Sequence, residues 1–398
     1  MAFRDDPLYL ELSRDKDWLV RFRRDLHKYP ELSEFEFETQ EKIISALNDM
    51  GINNYPSAGT GVCGVLIGNN DDMTIGLRAD IDALPITEMN ALDYKSTYDG
   101  VMHACGHDAH TTIQLGVAKY YSRHRDTLGC NLKFFFQPAE ETIGGAARMV
   151  EEGVMTTPDV SFVLGLHVMP YMPVGKIEIR EGKLNAASDT FSITIGGKSA
   201  HGAYPEQGVD AIVVAAQIIL GIQTLVSRAI SPLDQAVITI GKINGGQKDN
   251  IICDEVTLTG GMRTTDEITR KLLKEKMTCL VSGLCGAFGA TAQVHFEEGY
   301  KALINNNEVV KILREVAVEA LGKEKVIEKE QPSLGVEDFS YFLDHAKGVF
   351  YHLGCGFEDG PLGALHTKDF IIDEESLVLG VYLQIKMIEA LIKSTSRE

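Results

Sequence analysis

Met102-His103-Ala104-Cys105-Gly106-His107-Asp108-Ala109-His110 sets three histidines, a cysteine and an aspartate around a single glycine. Cys105 and His107 stand one residue apart. Both can face one ion only where the backbone bends, and Gly106 permits that bend. A thiolate beside an imidazole suits zinc and other late first-row metals better than magnesium or calcium. Read alone, the stretch also suits a buried cysteine among structural histidines. Its flanks bear on the choice.

Upstream, residues 14–50 carry a helical pattern that Pro30 interrupts, with His27 expected as a structural histidine at a helix end. Short strands are expected over 62–67 and 73–77, split by the turn signal Gly68-Asn69-Asn70-Asp71-Asp72. The second runs into Arg78-Ala79-Asp80-Ile81-Asp82, which places two carboxylates just past a strand. There they can touch a metal or orient a metal-bound histidine. Downstream, a helix over 110–123 precedes an apolar strand over 131–136. Gln137-Pro138 stops that strand, and Glu140 and Glu141 follow at once. Paired glutamates at the carboxyl end of a buried strand are poorly explained as surface charge, because ligands of open α/β sheets sit there. One can bind metal while its neighbour serves as a base, with Asp108 the next candidate for that base. A further strand over 161–166 is expected to end at His167.

From Asp189 the pattern changes. Strands over 190–195, 236–243, 255–263 and 291–297 alternate with helices over 209–226 and about 265–288. The order β-α-β-β-α-β is that of a ferredoxin-like module. Residues 186–297 are therefore expected to form a domain inserted between 1–185 and 298–398. The second flanking part holds a helix over 307–321, a strand over 349–353, Leu365-His366, and a closing helix over 374–394.

At 398 residues the chain is too long for one ordinary domain. A net charge of −19 argues against nucleic acid or an anionic membrane as partner. Seven scattered cysteines without a CxxC pattern argue against a disulfide framework and for a reducing cytoplasm. The N-terminal residues lack an apolar signal core, and no apolar run is expected to reach the length of a membrane span.

The motifs Leu77 through Pro85, Met102 through His110, Gln137 through Glu141, Gly165-Leu166-His167, Ser199 through Pro205 and Leu365-His366 occur in an order that covers nearly the whole chain. In this the chain resembles the metal-dependent amidohydrolases of the aminoacylase and carboxypeptidase superfamily. The branch is the one with hippurate hydrolases, N-acyl-amino-acid deacylases and auxin-conjugate hydrolases. The resemblance implies an α/β fold: a mixed-sheet metallohydrolase catalytic domain with the inserted ferredoxin-like satellite, which would also form a homodimer.

It further implies that Cys105, His107, Glu141, His167 and His366 bind two divalent ions (Zn, Mn, Ni or Co), with Cys105 shared. Glu140 would be the general base. His201 would stabilise the oxyanion, in this superfamily often from the neighbouring subunit. Asn250 and Arg263 would hold the carboxylate of an N-acyl amino acid, with Asp80 and Asp82 behind the metal ligands. One departure stands out: Asn250-Ile251-Ile252 is followed by Cys253 where the family commonly has proline. The rival readings are a dipeptidase or aminopeptidase of the same fold, and a non-catalytic binding protein. The first needs a site for a free α-amine. The second would have lost a ligand or the base, and all are present.

Overall fold

A computed structural model describes residues 2–70, 72–360 and 363–395. Asp71, within the expected turn, lies outside the described residues. The chain forms two compact units. One comprises Met1–Gly182, Ile304–Glu330 and Asp338–Glu398; the other comprises Lys183–Leu303 and Gln331–Glu337. The second is wider than the expected 186–297 and includes a distant segment that no periodicity marks.

In the first unit, strands β1 (Asn53–Ser57), β2 (Gly61–Leu66), β3 (Thr74–Asp80), β4 (Asn131–Gln137), β5 (Phe162–Pro173) and β6 (Ile177–Ile179) precede the second unit. Short strands β7 (Gly182–Asn185) and β12 (Leu303–Asn305) lie where the chain passes between units. β8 (Ala187–Gly196), β9 (Ala236–Gly245), β10 (Glu255–Thr264) and β11 (Thr291–Glu298) belong to the second unit, and β13 (Val326–Glu328) and β14 (Lys347–Gly356) return to the first. Among the described residues, the first unit's eight-stranded sheet runs β1-β2-β4-β3-β5-β14-β6-β13. The middle pairs β4/β3, β3/β5 and β5/β14 are parallel, whereas β1/β2, β2/β4 and β14/β6 are antiparallel. The sheet is therefore mixed, with a parallel centre.

That centre is buried on both faces, as parallel strands are. Every residue of β3 and β4 is buried, including Phe134, Phe135 and Phe136. Pro138, which has no N–H for a ladder, follows β4 at once. Helix α4 (His107–Arg123) is buried on nearly every side along its first twelve residues, which fits an interior helix. It starts three residues earlier than its periodicity suggests, with Gly106 as its N-cap. The other helices of this unit are α1 (Pro7–Ser13), α2 (Lys16–Lys28), α3 (Phe37–Asp49), α5 (Gly145–Glu151), α8 (Asn307–Leu321), α9 (Ser340–Leu343) and α10 (Glu375–Thr395).

The strand expected to end at His167 continues to Pro173. β3 pairs with β5 only as far as Arg78 opposite Gly165, while β14 stays paired along β5, with His352 opposite His167. His167 thus lies mid-strand, just past the point where one neighbour has left. β5 loses its β3 neighbour there without ending.

In the second unit, β11-β8-β10-β9 form a four-stranded antiparallel sheet. Helices α6 (Ala211–Thr224) and α7 (Glu267–Phe288) complete the order β-α-β-β-α-β. Asp266 caps α7 by accepting the Thr269 N–H at 2.8 Å. On β8, Ala187, Asp189, Phe191, Ile193 and Ile195 are buried in strict alternation. Residues Ala211–Ala229 are long and apolar enough to match a membrane span by composition, which corrects the expectation that no such run exists. Here Val214, Ala215, Ile218 and Ile222 are buried in the unit's own core.

Candidate metal centre

The parallel strands bring the polar motifs to one end of the sheet. Asp80 ends β3, with Asp82 two residues on. Glu140 and Glu141 follow β4, His167 rides on β5, and α4 opens on His107. Gly106 has φ +88°, and a Cβ there would lie 2.4 Å from Val168 Cγ2. Only glycine fits that close, left-handed bend between Cys105 and His107. Two non-glycine residues of the site share this sparsely populated region: Ala139, just before Glu140, at φ +56°, and His366 at φ +59°.

Two overlapping groups of metal-ligand type result. Cys105, His107 and His167 offer ligand atoms all within 4.8 Å of one another, and so do Cys105, Glu141 and His366. Cys105 Sγ is 3.2 Å from His167 Nε2 and 3.3 Å from His366 Nε2. Glu141 Oε1 is 3.2 Å from His366 Nε2 and 3.9 Å from His107 Nε2. Glu140 is buried and forms a third group with His107 and Glu141. His366 is the exposed member, with half of its side chain open to solvent.

The electrostatics fit cations. Burial works against a charge on His107, but Asp80, Asp82 and Glu141 outweigh it and push the ring up to about 10. Burial, followed by Glu141, Glu140 and Asp80, holds the Cys105 thiol well above its usual range. Burial, then the neighbouring His110, holds His167 well below the usual imidazole range. His107 Nε2 and Glu141 Oε1 are buried without a hydrogen-bond partner. Polar atoms so placed carry a desolvation cost that a cation would offset. Sulfur, nitrogen and oxygen donors shared between two groups match a pair of borderline divalent ions.

Around these atoms lies a rigid support. Asp82 Oδ1 is 3.1 Å from His107 Nδ1, and Asp82 Oδ2 accepts the Glu141 N–H at 3.0 Å. Asp80 Oδ1 is 2.6 Å from His110 Nδ1, while His110 Nε2 accepts the Val168 N–H at 2.8 Å. With both nitrogens engaged, His110 is scaffold and is not a ligand. Arg78 donates to Asp80, Gln137 and Asp338 at 2.7, 2.7 and 2.9 Å. Asp338 also accepts from Gln137 Nε2 and the Ala146 N–H, at 2.7 and 3.1 Å. Sequence reading missed Asp338, because it lies about 200 residues from the strand it steadies and in no strand-end pattern.

Asp108 is not a spare base. It is fully buried, 2.7 Å from Arg23 Nε and 2.8 Å from His27 Nδ1. Those partners outweigh its burial and hold its carboxyl far below the usual range. His27 is accordingly structural.

In the second unit, His201 forms a bridge with Ile251, and Gly202 N–H donates to Asn250 O at 2.8 Å. His201 and Asn250 are therefore neighbours, and both are exposed. His201 Nδ1 accepts the Ala203 N–H at 3.1 Å, which leaves Nε2 as the nitrogen able to donate. Arg263 sits on β10, and its Nη1 is buried without a hydrogen-bond partner.

The model of peptidase family M20/M25/M40 matches residues 76–390. The chain belongs to this family. It is 38% identical to an N-acetyl-L-cysteine deacetylase of Bacillus subtilis, over 99% of this chain and 93% of that one. It is 39% identical to thermostable carboxypeptidase 1 of Saccharolobus solfataricus, over 92% and 93% of the two chains. Its fold matches the crystal structure of a dinuclear metal-binding M20 peptidase from Bacillus subtilis with a TM-score of 0.84 at 32% identity, covering 96% of this chain and 99% of that one. As a member of this family the chain is a metal-dependent amidohydrolase with an α/β, mixed-sheet fold.

Proposed function

We propose that this M20 enzyme hydrolyses the amide bond of N-acyl amino acids, releasing a carboxylic acid and an amino acid. The observation that carries the reading is the convergence of Cys105, His107, Glu141, His167 and His366 beside the buried Glu140. The deacetylase relative acts on a substrate of this class by name.

Cys105, His107 and His167 would hold one ion, and Cys105, Glu141 and His366 the other, with Zn, Mn, Ni and Co all suited to the donors. Such a pair supplies a more acidic water and a polarised amide carbonyl. Glu140 takes the proton of the attacking water and passes it to the departing amine. Asp82 keeps His107 in register, and Asp80 does the same for the scaffold histidine His110. His201 donates from Nε2 to the oxyanion. Arg263, with an unpartnered buried nitrogen, and Asn250 receive the substrate carboxylate.

A homodimer through the second unit completes the reading. α6 turns Ile212, Val213 and Leu220 outward, and the edge strand β9 exposes Val237 and Ile243. An open sheet edge beside apolar side chains invites a second copy. This also accounts for the apolar length of α6 without a membrane. Seven free cysteines suit a reducing cytoplasm.

Dipeptide hydrolysis is the second reading, favoured by the carboxypeptidase relative. Metal-loaded enzyme assayed on N-acetyl amino acids and matched dipeptides separates the two. Faster turnover of the acylated set supports the proposal, and a preference for dipeptides overturns it.

A further inference from the structure

Glu36 is fully buried, and the proposed reaction does not use it. One of its oxygens accepts the Ala139 N–H at 2.9 Å, and the other accepts the Thr60 hydroxyl. Ala139 immediately precedes Glu140 and holds the left-handed conformation described above. A hydrogen bond to the backbone of a strained residue restrains that conformation.

The spacing Ser33-x-x-Glu36 ahead of α3 would suit a helix-capping pair. The structure uses neither residue that way. Glu31 caps α3 instead, accepting the Glu38 and Thr39 N–H groups at 3.1 and 2.8 Å. Ser33 donates to Asp82 Oδ2 at 2.7 Å, the oxygen that also accepts the Glu141 N–H at 3.0 Å. One short loop therefore reaches both the His107 support and the segment carrying Glu140. A buried carboxylate is costly unless it is hydrogen-bonded, and both oxygens of Glu36 are.

We propose that Glu36 is a positioning residue: by gripping the Ala139 N–H it holds the left-handed bend and so sets the orientation of Glu140. The proposal rests on the reading of Glu140 as the base. Glutamine keeps an acceptor for Ala139, and its amide can donate to the Thr60 hydroxyl. Alanine keeps neither. Glycine at 139 would adopt the same backbone without the steric cost.

The test compares Glu36→Ala, Glu36→Gln and the double variant Glu36→Ala/Ala139→Gly on the metal-loaded enzyme, with Glu140→Gln as reference. Glu36→Ala is expected to lower kcat by ~10–10²-fold, the scale for a misplaced catalytic group, with KM and metal content held. Glu36→Gln is expected to stay within ~3-fold of wild type because the acceptor is conserved. The double variant is expected to recover at least ~5-fold of the loss, because glycine needs no clamp. Unchanged kcat in Glu36→Ala overturns the proposal, as does metal loss in parallel with kcat, a glutamine variant as poor as the alanine one, or no recovery in the double variant. If Glu36→Ala does not fold, Thr60→Val carries the test by freeing the other oxygen. A kcat loss of ~3–10-fold then supports the proposal, and an unchanged kcat overturns it. Near-normal turnover of Glu140→Gln overturns the reading of the base itself, and this proposal with it. The other failures leave that reading standing.

Discussion

His107 Nδ1 lies 2.9 Å from the Asp82 carbonyl oxygen and 3.1 Å from Asp82 Oδ1, so the nitrogen that faces Glu141 is Nε2. A carboxylate behind an imidazole fixes its tautomer and its aim. Asp82→Ala is expected to weaken metal binding by ~10–100-fold, the usual cost of losing such a partner. Titration of the metal-free protein with Zn²⁺ or Mn²⁺ measures it, and an unchanged dissociation constant would remove Asp82 from this role.

Cys105 belongs to two of the candidate ligand groups. Replacing it should disturb both ions at once. Cys105→Ala is expected to lose metal and nearly all activity. Elemental analysis of the purified variant checks this, and retention of two ions per chain would end the shared-ligand assignment.

Glu140→Gln keeps the size of the side chain and removes the base. Turnover is expected to drop by at least ~10²-fold, the contribution of a positioned base, with both ions still bound. With Asp108 locked between Arg23 and His27, no second carboxylate on α4 can substitute.

If His201 serves the neighbouring subunit, mixed dimers reveal it. His201→Ala alone is expected to lower kcat by ~10²–10³-fold, the range for a lost oxyanion donor. Combining His201→Ala with Glu140→Gln subunits then yields one site with both defects and one with neither, so activity returns. Persistent inactivity in a sample shown to have exchanged subunits would place His201 in its own chain's site.

Part of the loss of stability in acid is expected to come from Glu178, which contacts His352, Tyr171 and Lys329 at 2.7–2.8 Å. Burial raises its pKa, but His352 and Lys329 outweigh burial and bring it down to about 2. A depressed carboxylate stabilises the fold above its unfolded value, about 4.3, and that contribution is lost as pH falls toward the folded value. Glu178→Gln is expected to lower Tm at pH 7, with the gap to wild type closing between about pH 4.5 and 2. A gap that stays constant with pH would show that the charge is not responsible.

Much of the candidate site was legible in the chain because its signals are local. An apolar run that breaks at polar residues predicts a strand end, and this places Asp80, Glu140 and Glu141 at the sheet's carboxyl edge. Cys105-Gly106-His107 was legible for the same reason, since only glycine makes that bend. His167 was found by this logic although its strand does not end there. What frees β5 on one side at His167 is the departure of β3, and pairing between distant strands has no local signature. Other parts were decided by tertiary structure alone. Nothing local assigns Ser33 or Glu36 to the site, yet their side chains hold Asp82 and Ala139. Asp108 looked available until Arg23 and His27 closed on it, and Asp338 returns from near the end of the chain to grip Arg78 and Gln137. Periodicity records which face of an element is buried. It carries no record of which distant side chain will satisfy a buried polar group, because that depends on where the loops bring the chain back.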